Sequence, residues 1–169
     1  MNITQLRTKE HDRKSFDCGE EALNNYLKTL SSQHDKKDLS RTFVLTSPQN
    51  ESQIKGFYSL ALCTVAINTL EIERGKRDPK DRQCAVRGRV AVNKTHKKQG
   101  FGGILLIDAI RKAIESSNLI PTPMIIVDAK NEAAVKLYSN IGFESFPKEP
   151  NKLYLTRKSA IEMLREIDK

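Results

Sequence analysis

Along the first half of the chain, the hydrophobic residues repeat with two different periods. Alternation typical of strands covers residues 3–6, 41–46 and 54–66, and the turn at 47–50 predicts an antiparallel hairpin between the last two. Between the first two strands the spacing is helical, with Asp17 as the expected N-cap and Glu20 in a capping box. The predicted buried stripe of this helix is Ala22, Leu23, Tyr26, Leu27 and Leu30.

The later pattern predicts strands that alternate with helices. The polar run over 31–40 favours a second, exposed helix. Further strands are expected at 84–93, 124–127, 143–146 and 153–155, and helices at 101–116, 128–141 and 159–167. Gly142 would end the helix before it in the left-handed conformation. The helices at 101–116 and 128–141 are predicted to bury Ile104, Leu105, Ala109, Ile110, Ala133, Ala134, Leu137 and Ile141.

This order of elements predicts a mixed α/β fold in a single domain over residues 1–169. A chain of this length buries roughly two-thirds of its unfolded surface, which suffices for one core. No apolar stretch is long enough to span a bilayer, and the N-terminus lacks an apolar signal region. The three cysteines form no CxxC pair, so they indicate reduced thiols in a cytosol and no metal site.

The positive charge is concentrated in one segment. Between Arg74 and Lys98 there are ten basic residues and two acidic ones, which accounts for the whole net charge of +8. Such clustering points to a polyanionic partner. The alternative for the stretch before the strand is a solvated charged loop.

A glycine-rich turn follows the strand that contains Val90, Ala91 and Val92. Glycines let the backbone approach a ligand, and free N–H groups at a helix N-terminus attract an anion. The turn therefore predicts a pyrophosphate site, although a purely structural turn remains open. Its residues are Lys97, Lys98, Gln99, Gly100, Phe101, Gly102 and Gly103.

Three ordered motifs resemble the GNAT superfamily of N-acetyltransferases. The turn matches the family's R/Q-x-x-G-x-G/A loop except at Lys97. The family's central strand is similar to Arg89-Val90-Ala91-Val92-Asn93. Its second motif resembles the run from Asp128 to Tyr138 together with Gly142-Phe143. The resemblance implies six to seven mostly antiparallel strands with a splayed central strand, and about four flanking helices. It also implies acetyl-CoA as co-substrate.

The resemblance assigns roles to individual residues. Backbone groups of Val90, Ala91 and Val92 would pair with the pantetheine arm, and Asn131 would contact it, unless Asn131 is only a helix N-cap. Tyr138 would protonate the departing thiolate as general acid, the alternative being an aromatic packed on the sheet. The central strand offers no carboxylate base, which favours an acceptor with a low-pKa amine unless Glu71 or Glu73 reaches the site.

The segments Phe16-Asp17-Cys18-Gly19, Gly56-Phe57-Tyr58-Ser59-Leu60 and Gly88-Arg89-Val90-Ala91-Val92 look like those of toxin acetyltransferases from type II toxin–antitoxin pairs. That likeness implies acetylation of the α-amine of aminoacyl-tRNA, a block of translation, and neutralisation by a ribbon-helix-helix antitoxin. DNA would be bound only through the antitoxin complex. We expect a cytoplasmic bacterial protein, a homodimer, without membrane partners. Phosphate contacts to tRNA are expected from Lys36, Lys37, Arg41, Arg74, Lys76, Arg77, Arg87 and Arg89.

Two other functions stay open. One is an ordinary acetyltransferase for a small-molecule or protein amine, which the basic segment disfavours for polycationic acceptors. The other is a catalytically silent component of an antitoxin–DNA complex, which the intact turn and Tyr138 disfavour. Cys18 is expected to be structural, because acetyl transfer needs no covalent step here.

Overall fold

The computed structural model describes residues 1–66 and 82–169. Its strands form one sheet in the order β1-β2-β3-β4-β5-β7-β6. Strands β4 and β5 pair in parallel, and β1–β2, β2–β3, β5–β7 and β6–β7 are antiparallel. The predicted mixed α/β fold with a mostly antiparallel sheet is confirmed. The strands are β1 Asn2–Gln5, β2 Arg41–Thr46, β3 Gly56–Ala66, β4 Arg82–Val92, β5 Met124–Asp128, β6 Glu144–Phe146 and β7 Glu149–Thr156.

The helices lie near their predicted positions. The first is interrupted: α1 continues into a π-helical segment, Tyr26–Leu30, before α2 begins. None of the helices in the described ranges is long and apolar enough to cross a membrane. The helices are α1 Glu21–Asn25, α2 Ser31–Lys36, α3 Phe101–Ser117, α4 Glu132–Ile141 and α5 Arg157–Ile167.

The chain divides into two compact units, each discontinuous in sequence. The first comprises Met1–Ala61 with Arg89–Ala109, and the second Leu62–Gly88 with Ile110–Lys169. In the first unit, one apolar cluster joins Leu23 and Leu27 to Phe57, and another joins Tyr58 to Leu105. In the second unit, Ile126 and Phe146 lie in a cluster with Val65. A single domain over residues 1–169 stays a prediction.

The predicted cap of the first helix is wrong. Glu20 is the N-cap residue of α1 and makes no side-chain cap bond. The Asp17 carboxylate instead accepts hydrogen bonds from the Gly19 N–H and the Asn24 side chain, both at 2.9 Å. Asp17-Cys18-Gly19 therefore forms an Asx-type turn, a conformation that competes with capping because it satisfies the same side-chain oxygen.

Three predicted inward positions are also wrong. Ala22 and Ala133 are exposed, and Ile104 is 45% exposed. In α3 the buried side chains are centred on Leu106 and Ala109, and Ile104 lies on the opposite side of the helix. An apolar residue at helical spacing is compatible with more than one buried face of the helix, and packing against the sheet determines which face is buried.

Candidate functional site

The turn between β4 and α3 has the backbone of an anion site. Lys98 and Gly100 both have positive φ, +62° and +81°. Helix α3 begins at Phe101, and the Ile104 N–H donates to the Gly100 carbonyl at 3.3 Å. The N–H groups of the first helical residues therefore have no acceptor in the preceding helical turn and are available to a ligand.

Space and charge favour the same ligand. A Cβ placed on Gly100 or Gly103 would meet nothing within 4 Å, so the described residues leave the face of this turn open. Lys97 and Lys98 are exposed beside it. Their ammonium groups and the positive end of the helix dipole both attract an anion. The arrangement fits a pyrophosphate.

The turn is anchored by two polar residues from outside it. Asn93 donates its N–H to the Lys55 carbonyl at 2.8 Å, and its side chain accepts from the Thr95 N–H at 3.2 Å. Lys94 pairs with Asp17 at 2.6 Å, and its N–H donates to the Asp17 carbonyl at 2.8 Å. These bonds hold the start of the turn.

The Asp17 carboxyl group is strongly stabilised in its ionised form. The hydrogen bond from Lys94, followed by those from the Gly19 N–H and Asn24, holds its pKa well below the usual range. Sequence reasoning missed this anchor. The Asp-x-Gly spacing, typical of an Asx turn, is the signal that could have found it.

The three residues predicted to pair with the pantetheine arm belong to β4. Ala91 is buried in the cluster with Leu27 and Phe57. Val90 and Val92 pack against the cluster that contains Leu105. Since the side chains alternate between two apolar clusters, the backbone of this strand is fixed in position.

Tyr138 is the buried residue of α4, with 3% exposure. Its ring lies 5.7 Å from that of Phe143. Burial, and secondly the charge of Asp128, raise the pKa of the Tyr138 phenol to about 12. The phenol is therefore protonated at neutral pH, as a proton donor must be.

Asn131 is the N-cap of α4, and its side chain accepts from the Ala134 N–H at 2.9 Å. The capping alternative is confirmed, and a cofactor contact stays a prediction. Gly142 ends the same helix at φ +109°, as predicted.

A carboxylate that sequence reasoning did not single out ends β5. Asp128 lies 3.5 Å from Arg87, and both side chains are 40% exposed. Asp128 opens the motif that carries the resemblance, and a carboxylate at the end of a buried strand was the available signal.

The predicted tRNA-binding cations differ in their surroundings. Lys36 and Lys37 are exposed. Arg41 is engaged, because it pairs with Asp38 at 2.5 Å and with Asp35 at 3.5 Å. The Arg89 guanidinium lies over the Tyr26 ring, 4.6 Å from its centroid. The remaining ones, Arg74, Lys76 and Arg77, lie outside the described residues, as do the alternative bases Glu71 and Glu73.

Within the described ranges, no group of three or more His, Cys, Asp and Glu side chains could hold a metal ion. The three cysteines carry no disulfide. Burial raises the pKa of the Cys18 thiol, which makes it a poor nucleophile.

This chain resembles known proteins in both its sequence and its fold. Residues 81–151 match the family of FR47-like proteins. The tRNA-acetylating toxin of Mycobacterium tuberculosis (strain ATCC 25618 / H37Rv) is 30% identical over 151 residues, 88% of this chain and 88% of the relative. The probable toxin TacT of Sinorhizobium fredii (strain NBRC 101917 / NGR234) is 25% identical over 162 residues, 90% of this chain and 89% of the relative.

Solved structures that are similar to this chain include toxins as well. A tyrosine-to-phenylalanine mutant of KacT superposes with a TM-score of 0.86 at 26% identity, covering 96% of this chain and 98% of that one. AtaT complexed with acetyl-methionyl-tRNAfMet gives 0.83 at 28%, with 97% and 98% covered. A mutant AtaT toxin bound to the C-terminus of the antitoxin AtaR and acetyl-CoA gives 0.77 at 25%, with 96% and 97% covered.

Proposed function

Because the chain belongs to the GNAT-type family of tRNA-acetylating toxins, we propose that it transfers the acetyl group of acetyl-CoA to the α-amino group of aminoacyl-tRNA. An acetylated amine cannot form a peptide bond, so the product would block translation. The observation that carries the proposal is the turn from Lys97 to Gly103 at the N-terminus of α3, which the described residues leave open at Gly100 and Gly103, in a chain that aligns over 88% of its length with a tRNA-acetylating toxin.

Acetyl-CoA would be held by backbone more than by side chains. The first N–H groups of α3, at Phe101, Gly102 and Gly103, would donate to the pyrophosphate. Lys97, Lys98 and Gln99 would line the same turn, with Gly100 providing the positive φ. The backbone of Val90, Ala91 and Val92 would hydrogen-bond the pantetheine arm, with a further contact from Asn131.

Tyr138 would supply the proton that the leaving thiolate needs. The buried phenol is protonated at neutral pH because its pKa is raised to about 12. Its ring lies 5.7 Å from that of Phe143, a contact that phenylalanine at this position would keep. Removal of the hydroxyl should therefore impair chemistry more than folding.

Phosphate contacts to the acceptor would come from cations that have few structural commitments. Lys36 and Lys37 are exposed, and Arg74, Lys76 and Arg77 remain candidates from the basic segment. Arg41, Arg87 and Arg89 would contribute less, since each already lies against a carboxylate or an aromatic ring. Contacts of this kind hold a polyanion without reading its sequence.

We further propose that a cognate ribbon-helix-helix antitoxin neutralises this protein, that DNA is bound only through their complex, and that the protein is a homodimer. The likeness to AtaT bound to the C-terminus of AtaR supports an antitoxin partner. Charged tRNA is consumed by ribosomes in the cytoplasm, so the reaction belongs there. Light scattering of the purified protein, alone and with the antitoxin, tests both assemblies.

The test of the activity uses labelled acetyl-CoA with charged tRNA and, as its matched control, the same tRNA after deacylation. Label should appear only on charged tRNA and should be released by mild alkali as an N-acetyl amino acid. Label on a small amine or a protein instead would establish an ordinary acetyltransferase. A protein that binds acetyl-CoA and acetylates nothing would favour the silent component.

A further inference from the structure

The second unit holds a carboxylate that the proposed chemistry has not used. Asp128 ends β5 beside a parallel neighbour, and ligands of open sheets commonly bind at the carboxyl ends of such strands. After burial, the charge of Asp128 is the second cause of the raised pKa of the Tyr138 phenol, and both residues belong to the second unit. The charge of Asp128 also acts on Cys63, whose thiol stays neutral because burial raises its pKa.

The cations around Asp128 leave its carboxylate accessible. Arg87 is 3.5 Å away through Nε, a buried atom that makes no hydrogen bond within the described residues. Lys152 on β7 is the register partner of Asp128, yet its ammonium group pairs with Glu149 at 3.4 Å and lies over the Phe146 ring. Among the residues that the structure describes, the carboxylate is thus held by one long ion pair, and the Asp128 side chain is 40% exposed to solvent.

Resting on the proposed function, we infer that Asp128 is the general base of the transfer and receives the proton of the acceptor amine, with Arg87 as its positioning residue. The strand β4, from Arg82 to Val92, contains no carboxylate, so a general base has to come from another element, and Asp128 on β5 provides one. A carboxylate also attracts the α-ammonium form of the acceptor before it is deprotonated. The segment that contains Glu71 and Glu73 is then not needed for a base.

The step balances. The α-ammonium group first loses one proton to solvent. The resulting amine nitrogen attacks the thioester carbonyl carbon, and a C–N bond forms while the C–S bond breaks. The amine proton goes to the Asp128 carboxylate, and the Tyr138 hydroxyl gives its proton to the departing thiolate. Solvent then removes the proton from Asp128 and restores that of Tyr138, so the net products are the amide and the free thiol.

The placement of these two groups couples the proton transfers. A negative charge on Asp128 disfavours ionisation of the Tyr138 phenol. When Asp128 accepts the amine proton that charge disappears, and the pKa of Tyr138 falls by the part that Asp128 contributes, while the larger part caused by burial remains. The phenol therefore becomes a stronger acid at the stage when the thiolate leaves.

The test compares wild type, Asp128→Asn and Asp128→Glu by kcat/KM against pH, with charged tRNA and with amino acid methyl esters as acceptors. The Asn variant should lose about 10²–10⁴-fold at neutral pH, and the loss should shrink at higher pH as solvent base replaces the carboxylate. The Glu variant should recover part of the rate. Combined with Tyr138→Phe, the Asn exchange should cost less than it does alone, because the two groups act in one step.

The matched control is Asp168→Asn, which removes another ion-paired carboxylate of the same unit, 2.5 Å from Arg111. All variants should bind acetyl-CoA with wild-type affinity by calorimetry. An Asp128→Asn deficit of the same size at every pH, or fully additive effects with Tyr138→Phe, would refute the base. If the wild-type protein acetylates the esters but not charged tRNA, the proposed function is refuted and the role of Asp128 is not. If it acetylates neither acceptor, the proposed function and the role of Asp128 are both refuted.

Discussion

The hydroxyl of Tyr138 can be removed with little change to the structure around it. The side chain is 3% exposed, and its ring lies 5.7 Å from that of Phe143. Phenylalanine keeps the ring, so Tyr138→Phe should leave the free energy of unfolding at neutral pH nearly unchanged. If the phenol protonates the leaving thiolate, turnover should fall by about 10²–10⁴-fold with unchanged affinity for acetyl-CoA.

The same variant has a stability signature at high pH. The folded protein raises the pKa of this phenol from 10.0 to about 12, so ionisation is disfavoured in the native state. Below pH 10 the raised pKa costs nothing. Above it the unfolded chain loses a proton that the native state keeps, and wild type should lose about 1.4 kcal/mol by pH 11 relative to Tyr138→Phe.

The assay is therefore a pair of measurements on two proteins. Turnover is measured with charged tRNA at saturating acetyl-CoA, and urea unfolding is measured at pH 8 and pH 11. The difference between variants removes the contribution of all other titrating groups. Near-normal turnover with a clear alkaline difference would show that Tyr138 is buried as described but only packs, and the catalytic assignment would be wrong.

Three further predictions address the cofactor turn, the core and the acceptor. Gly102→Glu should abolish acetyl-CoA binding in calorimetry with the fold intact, since a carboxylate would repel the phosphates, and unchanged affinity would exclude the site. Ser59→Ala should raise Tm by about 2–4 °C, because the buried Ser59 hydroxyl has no hydrogen-bond partner among the described residues, and a lower Tm would contradict this. Arg74→Ala, Lys76→Ala and Arg77→Ala together should flatten the salt slope of tRNA binding by about 0.9 per lost duplex contact, while acetyl-CoA binding stays normal; an unchanged slope would refute those contacts.

Local patterns predicted most elements of the fold, because strand alternation and helix spacing depend on neighbours in sequence. The strand Arg41–Thr46 and the C-cap at Gly142 were predicted correctly. The π-helical segment Tyr26–Leu30 was not, since apolar residues at i, i+3 and i+4 fit an α-helix and a π-helix about equally. In the folded chain, Arg13 donates hydrogen bonds to the carbonyls of Leu27 and Lys28 in this segment, a tertiary contact that the local pattern does not indicate.

The candidate site divides in the same way. The turn from Lys97 to Gly103 was found because its glycines and cations are adjacent in sequence. The ion pairs Lys94–Asp17 and Arg87–Asp128 join residues far apart in the chain, and nothing in the local pattern indicates them. Asp17 was even predicted to do something else, because a helix cap is the local explanation for an Asp before a helical run.

Because of these ion pairs, fewer cations are available to a polyanion than the count in the sequence indicates. Counted in sequence, the segment from Arg74 to Lys98 offers ten cations to a polyanion. In the described part of the segment, Lys94 forms an ion pair with Asp17, which anchors the turn. Arg87 forms an ion pair with Asp128, and Arg89 lies over the Tyr26 ring. A cation that is paired with a carboxylate releases fewer counterions on binding RNA, because part of its charge is already compensated. If the acceptor is tRNA, most of the salt dependence should therefore come from residues 74–80 and from Lys36 and Lys37, while Arg87 should affect the pH profile of catalysis more than affinity.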